Sequence, residues 1–252
     1  MFQRWARLLF LHWELDDPLV LQRDLPPGLH LDFFEGRRAF VGVVPFFMQR
    51  IRPRRLPCVP WLSNFLELNV RTYVHDEHGQ QGVWFFSLDT NRWLAQKLGR
   101  TLFHLPYEMA SMSARIDDAT AFVRYACQRR GKDDVAEYRY RAEPGSAYRE
   151  ASPDSLEEFL LERYRLFAWN AQRRQLIKGE VRHDSYEFAP ADAPELSAVP
   201  LSWNGLDLEY MTSEAPMHAC VTRDVDVRVF ATQCVDALSA TSKERAVVPA
   251  CG

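Results

Sequence analysis

Residues 67–74 read Glu67-Leu68-Asn69-Val70-Arg71-Thr72-Tyr73-Val74. This octet predicts a β-strand with one greasy face and one chemically loaded face. Side chains alternate sides along a strand with a period of two. Leu66, Leu68, Val70, Thr72 and Val74 therefore point one way, and Glu67, Asn69, Arg71 and Tyr73 the other. A carboxylate, an amide, a guanidinium and a phenol in one row line either a polar pocket or a solvated sheet face. The flanking segments are strongly apolar, which favours the pocket.

Outward from this strand, residues 38–48 are nearly all apolar, as for a strand buried on both faces. Residues 83–88 form another apolar run after the turn Glu77-His78-Gly79-Gln80-Gln81-Gly82, which predicts a hairpin with the 67–74 strand. Alternation predicts further strands over 135–142, 175–188 and 221–229. Helices are fewer. One is expected over 89–102, with Asp89 or Thr90 as N-cap and Trp93, Leu94, Leu98 and Leu102 as its apolar stripe. A second opens at Ser152, with Pro153 at its first position and Leu156, Phe159, Leu160 and Tyr164 as stripe. A short third lies near 17–24. Residues 52–60 read as an ordered loop and 189–200 as a loop inside the domain. Many strands, short turns and few helices predict an α+β chain, mainly antiparallel β, with a curled or closed sheet. One domain is expected over 1–238, with a flexible tail over 239–252.

Composition narrows the function classes. Nearly half of the 252 residues are hydrophobic, enough for a sizeable core. The net charge of -3 argues against a nucleic-acid partner. Lys97, Lys132, Lys178 and Lys243 are the only lysines, against 27 arginines, so few residues could form a Schiff base. Cys58, Cys127, Cys220, Cys234 and Cys251 form no C-x-x-C pair, and free thiols fit a reducing, cytoplasmic location. The run Leu8-Leu9-Phe10-Leu11 is too short for a signal peptide, and no segment reaches membrane-spanning length, so no membrane partner is expected.

The chain carries no P-loop, no dinucleotide fingerprint and no nucleophile elbow. His75 and His78 have H-x-x-H spacing but fall in a turn where polar residues are usual; neither metal nor cofactor is implied. His104 follows a predicted helix, where it serves either as a C-terminal cap or as an acid–base group. Ser87 either places a hydroxyl in a pocket or permits close strand packing.

The ordered series Phe40-Val41-Gly42-Val43-Val44-Pro45-Phe46, Arg52-Pro53-Arg54, the 67–74 octet, Phe85-Phe86-Ser87-Leu88-Asp89 and Leu105-Pro106-Tyr107 resembles the YqjF-like bacterial family of unknown function, DUF2071. Leu161-Glu162-Arg163-Tyr164 and the strand from Gly179 to His183 fit as well. The resemblance runs from about Trp5 to Phe230. More distantly the chain is similar to acetoacetate decarboxylase. That likeness implies a cone-shaped antiparallel β-barrel with an accessory sheet, an enclosed pocket and a homo-oligomer. It also implies a reactive lysine whose amine, freed by apolar and cationic surroundings, attacks a keto acid. The family motif, glycine-arginine, a short apolar stretch, then proline-lysine-lysine, finds its match in Gly99-Arg100-Thr101-Leu102-Phe103-His104-Leu105-Pro106-Tyr107-Glu108. Tyrosine and glutamate stand where the lysines would be.

Three readings follow. In the first, the chain is a lyase- or isomerase-like enzyme acting on an oxo acid or other carboxylate without an imine. Glu67 is its base, Tyr107 or His104 its acid, and Asn69, Arg71, Ser87 and Arg100 bind the substrate, since guanidinium pairs well with planar oxyanions. In the second, the same pocket holds a small-molecule ligand without changing it. In the third, Glu67 and Arg71 are structural charges. They stand about 13 Å apart along the strand at roughly 3.3 Å per residue, so each needs a partner elsewhere, such as Arg100 for Glu67.

Overall fold

The computed structural model describes residues 1–53 and 63–235. Fifteen strands lie within them: β1 (Phe2–Ala6), β2 (Leu9–Glu14), β3 (Leu29–Leu31), β4 (Phe40–Arg52), β5 (Phe65–Asp76), β6 (Gln81–Thr90), β7 (Tyr107–Ile116), β8 (Val123–Arg129), β9 (Ala136–Ala142), β10 (Arg165–Asn170), β11 (Gln175–Arg182), β12 (Phe188–Glu195), β13 (His218–Thr222), β14 (Val225–Val229) and β15 (Gln233–Cys234). Four α-helices accompany them: α1 (Pro18–Asp24), α2 (Trp93–Leu102), α3 (Leu156–Leu161) and α4 (Val199–Ser202). The strands form one mainly antiparallel sheet; β6–β10 and β6–β7 pair parallel.

The sheet closes on itself twice. Strands β1, β14, β11, β10, β6, β5 and β4 form one ring. Strands β5, β6, β7, β8, β9, β12, β13, β2 and β4 form another. The two rings share β4, β5 and β6, so each shared strand has an interior on both faces. This explains why β4 is apolar along nearly its whole length. Val41 and Val43 join the core of the larger ring, while Val44, Phe46 and Met48 face the smaller one. On β5, Leu66, Leu68 and Val70 pack with Tyr125, Tyr138 and Tyr140 in the larger ring. Glu67, Asn69 and Arg71 turn toward the smaller.

A bulge breaks the phase of β6. Val70 pairs with Ser87, but Arg71 pairs with Phe85, leaving Phe86 as the extra residue. Before the bulge, Val83 and Phe85 face the smaller ring; after it, Leu88 does. Ser87 and Asp89 are thereby aimed at the larger ring. There Arg129 on β8 donates from Nε and Nη2 to the two Asp89 carboxylate oxygens at 2.7 Å each, and from Nη2 to Ser87 Oγ at 2.5 Å. Asn204 Nδ2 donates to Ser87 Oγ at 3.1 Å. Asp89 is wholly buried.

Several elements differ from the sequence reading. Helix α2 starts at Trp93, because Asp89 and Thr90 complete β6. Helix α3 is capped by Ser155, whose Oγ accepts from the Glu158 N–H, and Ser152 begins only the preceding turn. Residues 221–229 are the hairpin β13–β14 rather than one strand, and 189–200 contain most of β12. Arg52 ends β4; residues 54–60 of the expected loop and the expected tail lie outside the described residues.

The Asp89–Arg129 pair allows a direct test. Removing one member of a buried pair leaves an uncompensated charge, so Asp89→Ala is expected to cost about 3–5 kcal/mol in urea unfolding. Arg149→Ala, which breaks an exposed pair with Glu157, is expected to cost about 0–1 kcal/mol. Equal effects of the two variants would refute the role assigned to the buried pair.

Candidate functional site

The smaller ring lines a cavity of about 160 Å3 that is partly open. All seven ring strands contribute lining residues, among them Trp5, Phe46, Phe65, Phe85, Leu166, Val181 and Val229. Helix α2 covers the Phe65 end of β5, and α3 lies against the Tyr73 end. Most of the wall is apolar. The polar exceptions are Gln3, Glu67, Asn69, Arg71, Tyr107, Arg163, Arg165 and Tyr186, with the indole nitrogen of Trp5.

Glu67 and Tyr107 form the one direct pair of this site that joins a carboxylate to a phenol. Tyr107 Oη donates to Glu67 Oε2 at 3.0 Å. Glu67 is only 2% exposed. Burial pushes its carboxyl up to about 7; the hydrogen bonds from Tyr107 and Asn69 oppose this, and the nearby Asp89 charge adds to it. Burial and the adjoining carboxylate hold the Tyr107 phenol well above its ordinary value, so it stays protonated as a donor. Tyr125 fixes the strand from behind, donating to the Glu67 carbonyl at 2.8 Å. Gly99 on α2 lies against the Tyr107 ring so closely that a Cβ there would collide with it.

Arg71 sits at the other end of the polar row. Its Nη2 donates to the Leu160 carbonyl at 3.1 Å and to Tyr73 Oη at 3.3 Å. The guanidinium lies 5.1 Å from the centroid of Phe10. Tyr73 donates to the Leu160 carbonyl at 2.9 Å, so its single proton is used there, and His12 Nε2–H donates to it at 2.7 Å. The same count leaves His12 Nδ1 as acceptor toward His218 Nδ1 at 2.9 Å. Burial, with the His218 and Arg71 charges, holds His12 well below its usual value, which agrees with a neutral ring. Tyr73 therefore belongs to the network that holds Arg71 and does not line the cavity.

Four polar atoms of cavity-lining residues are buried with no partner: Trp5 Nε1, Asn69 Oδ1, Arg71 Nε and Arg165 Nε. Buried polar groups are usually paired, so these four are exceptions to the rule among the described residues. Arg163 is different: its guanidinium pairs with Asp32 at 2.7 Å.

The structure brings together Glu67, Asn69, Arg71 and Tyr107 from the sequence-predicted set. It does not place Ser87, Arg100 or His104 at the cavity. The β6 bulge turns Ser87 into the Arg129 network. Arg100 projects outward from α2 and pairs with Glu108 at 2.5 Å, so it is no partner for Glu67. His104 takes a left-handed conformation (φ 52°) just after α2, with its Nε2 3.5 Å from Asn170 Nδ2. No lysine among the described residues lines the cavity. Lys178 instead donates to Gln80 at 2.8 Å, and Lys97 lies over the Trp93 ring. Trp5 and Arg165 were not signalled by the sequence; only closure of the ring by β1 and β10 brings them in.

Comparison with known proteins fits this architecture. Solved structures alike in fold include an acetoacetate decarboxylase-like enzyme from Sphingomonas wittichii RW1 (TM-score 0.62, 15% identity, 93% of this chain and 92% of that one). Acetoacetate decarboxylase from Legionella pneumophila is another (TM-score 0.58, 14% identity, 93% and 87%). At these identities the likeness is one of fold. Among curated proteins, the uncharacterized protein YqjF of Bacillus subtilis (strain 168) is 38% identical over 194 residues, covering 77% of this chain and 76% of the relative. The profile of DUF2071, described as an uncharacterized conserved protein family (COG2071), matches residues 2–226, and the chain belongs to that family.

Proposed function

We propose that the smaller ring binds a small oxo acid or related carboxylate and that Glu67 removes a proton from the carbon beside its carbonyl, with no imine intermediate. The observation that carries this reading is the Glu67–Tyr107 pair, set in an apolar cavity beside the unpartnered Arg71 and Arg165 nitrogens. With Arg163 offset by Asp32, the remaining arginines leave the void positive, which suits an anion. A cavity of about 160 Å3 suits a molecule of roughly benzene size, since a dry protein cavity of about 150 Å3 admits benzene.

The chemistry balances without a cofactor. The Glu67 carboxylate takes the C–H proton, and the C–H electron pair moves into the carbonyl to give an enolate. Once Glu67 is protonated, the Tyr107 hydroxyl turns from it to the enolate oxygen as a hydrogen-bond donor. Arg71 and Arg165 hold the carboxylate, and return of the proton from Glu67 completes isomerisation or exchange. A carboxylate tuned to about 7 is poised for such transfer near neutral pH.

Deuterium uptake tests this directly. Pyruvate, 2-oxobutyrate and acetoacetate are incubated with the protein in D2O and followed by proton NMR. The protein is expected to accelerate exchange beside the carbonyl for at least one acid. Glu67→Gln should lower that rate by about 10²–10⁴-fold, and Arg71→Ala should mainly raise KM. Borohydride should leave no covalent adduct. An adduct, or exchange unaffected by Glu67→Gln, would overturn the proposal; heat stabilisation by these acids with no exchange would reduce it to binding alone.

The same carboxyl makes opposite predictions for rate and stability. Only ionised Glu67 can accept the proton, so the exchange rate should rise through pH about 7. Stability runs the other way. The folded state binds the Glu67 proton more tightly than the unfolded chain does, so stability is lost as pH rises from about 4.5 to about 7. Glu67→Gln, which cannot ionise, should match the wild type near pH 4 and exceed it above pH 7 by about 3 kcal/mol. Urea unfolding across this range measures it, and a constant difference would remove the buried charge as the cause.

A further inference from the structure

A second cleft, of about 600 Å3, lies where the β1–β2 turn, β8, β9 and the β13–β14 turn meet. Arg4 from β1, Arg7 from the turn after it, Arg141 from β9 and Arg223 from the β13–β14 turn converge on it. We propose that this cleft binds a small molecule carrying a multiply charged oxyanion, as in a phosphate ester or a polycarboxylate.

The charges are not fully balanced within the protein. Arg4 pairs with Asp224 at 3.2 Å, Arg141 with Asp192 at 2.8 Å and Arg223 with Glu187 at 2.9 Å. The Arg7 guanidinium has no such partner among the described residues. Its backbone is nevertheless fixed in the left-handed region (φ 54°), which non-glycine residues rarely adopt. The Tyr140 hydroxyl donates to the Arg7 carbonyl at 2.7 Å, and the Arg7 N–H donates to Asp224 Oδ1 at 3.1 Å. Held strain of this kind gathers at functional sites. Asp224, the single carboxylate in the lining, is engaged by Arg4 and by this N–H.

A second observation points to a ligand. Thr222 lines the cleft and is 5% exposed, yet its Oγ1 has no hydrogen-bond partner. Arg223 lies 4.5 Å from the centroid of Tyr148, forming a flat wall beside the cationic floor. Guanidinium groups recognise phosphate and carboxylate through paired N–H donors, and the threonine hydroxyl supplies one more. Leu8 is the single lining residue shared with the core cavity, so the two sites can be loaded separately.

Calorimetric titration with inorganic pyrophosphate tests the proposal, with citrate as the polycarboxylate arm and acetate at matched ionic strength as control. Saturable binding of pyrophosphate or citrate, but not acetate, is expected. Arg7→Ala and Arg223→Ala should each weaken it at least about ten-fold, as loss of charge-assisted hydrogen bonds does. Thr222→Val should weaken it several-fold. Arg37→Ala, which removes an exposed charge elsewhere, and Glu67→Gln, in the other cavity, should leave it unchanged. Which probe binds identifies the source of the oxyanion. Heat that follows ionic strength alone, or undiminished affinity in Arg7→Ala, would overturn the proposal.

Discussion

Strand β5 has an interior on both sides, and the rest of the structure follows from that constraint. An ordinary antiparallel sheet leaves one face to water, and polar residues on alternate positions are then unremarkable. Here β5 is shared by two closed rings, so Glu67 and Asn69 are buried and Arg71 is partly so. Each must be desolvated, paired or left open to a ligand. The protein pairs part of each group: Tyr107 holds one Glu67 oxygen, and Leu160 with Tyr73 holds one Arg71 nitrogen. Arg71 Nε is left with no partner. The raised Glu67 carboxyl and the orphaned arginine nitrogens therefore have one cause.

The two interiors also explain the division of polar residues on β6. One inserted residue at Phe86 reverses the phase of the strand. Without it, Phe85 and Ser87 would share a face. With it, Leu88 closes the apolar wall of the smaller ring while Asp89 reaches Arg129 in the larger. The bulge thus keeps a second carboxylate out of the cavity. Asp89 still acts on Glu67 through space, and its charge adds to the burial that raises that carboxyl. A strand without the bulge would bring two carboxylates toward one void, where two like charges would oppose each other's ionisation.

The sequence carried this fold and site unevenly, for physical reasons. Glu67, Asn69 and Arg71 were legible because the period of two survives intact along the cavity-facing half of β5. Val44, Phe46 and the rest of β4 were legible because a strand buried on both faces needs an unbroken apolar run. Ser87 was not, since a bulge shows only in the register of the partner strand. Arg100 and His104 were misplaced because a helix end fixes its own residues locally but not their direction relative to the sheet. Trp5 and Arg165 carry no local signal at all. The closing strands β1 and β10 bring them to the site from sequence positions 160 residues apart.

The likeness in fold to acetoacetate decarboxylases sharpens what this chain lacks. Tyr107 occupies the stretch where the decarboxylase pattern expects its first lysine, and the structure points that tyrosine into the cavity. Gly99, at the glycine of the same pattern, has the ring packed on its Cα, so the aromatic side chain and the bare helix position require each other. A phenol held well above its ordinary value cannot form an imine, and it supplies no electron sink for losing carbon dioxide. It can donate a hydrogen bond to an oxygen as charge develops there. Glu67 needs no amine beside it either, because burial, with the Asp89 charge adding to it, brings its carboxyl near neutrality. Where the decarboxylase pattern has its lysine, this chain carries a phenol hydrogen-bonded to a buried carboxylate, a pair with no amine to form an imine.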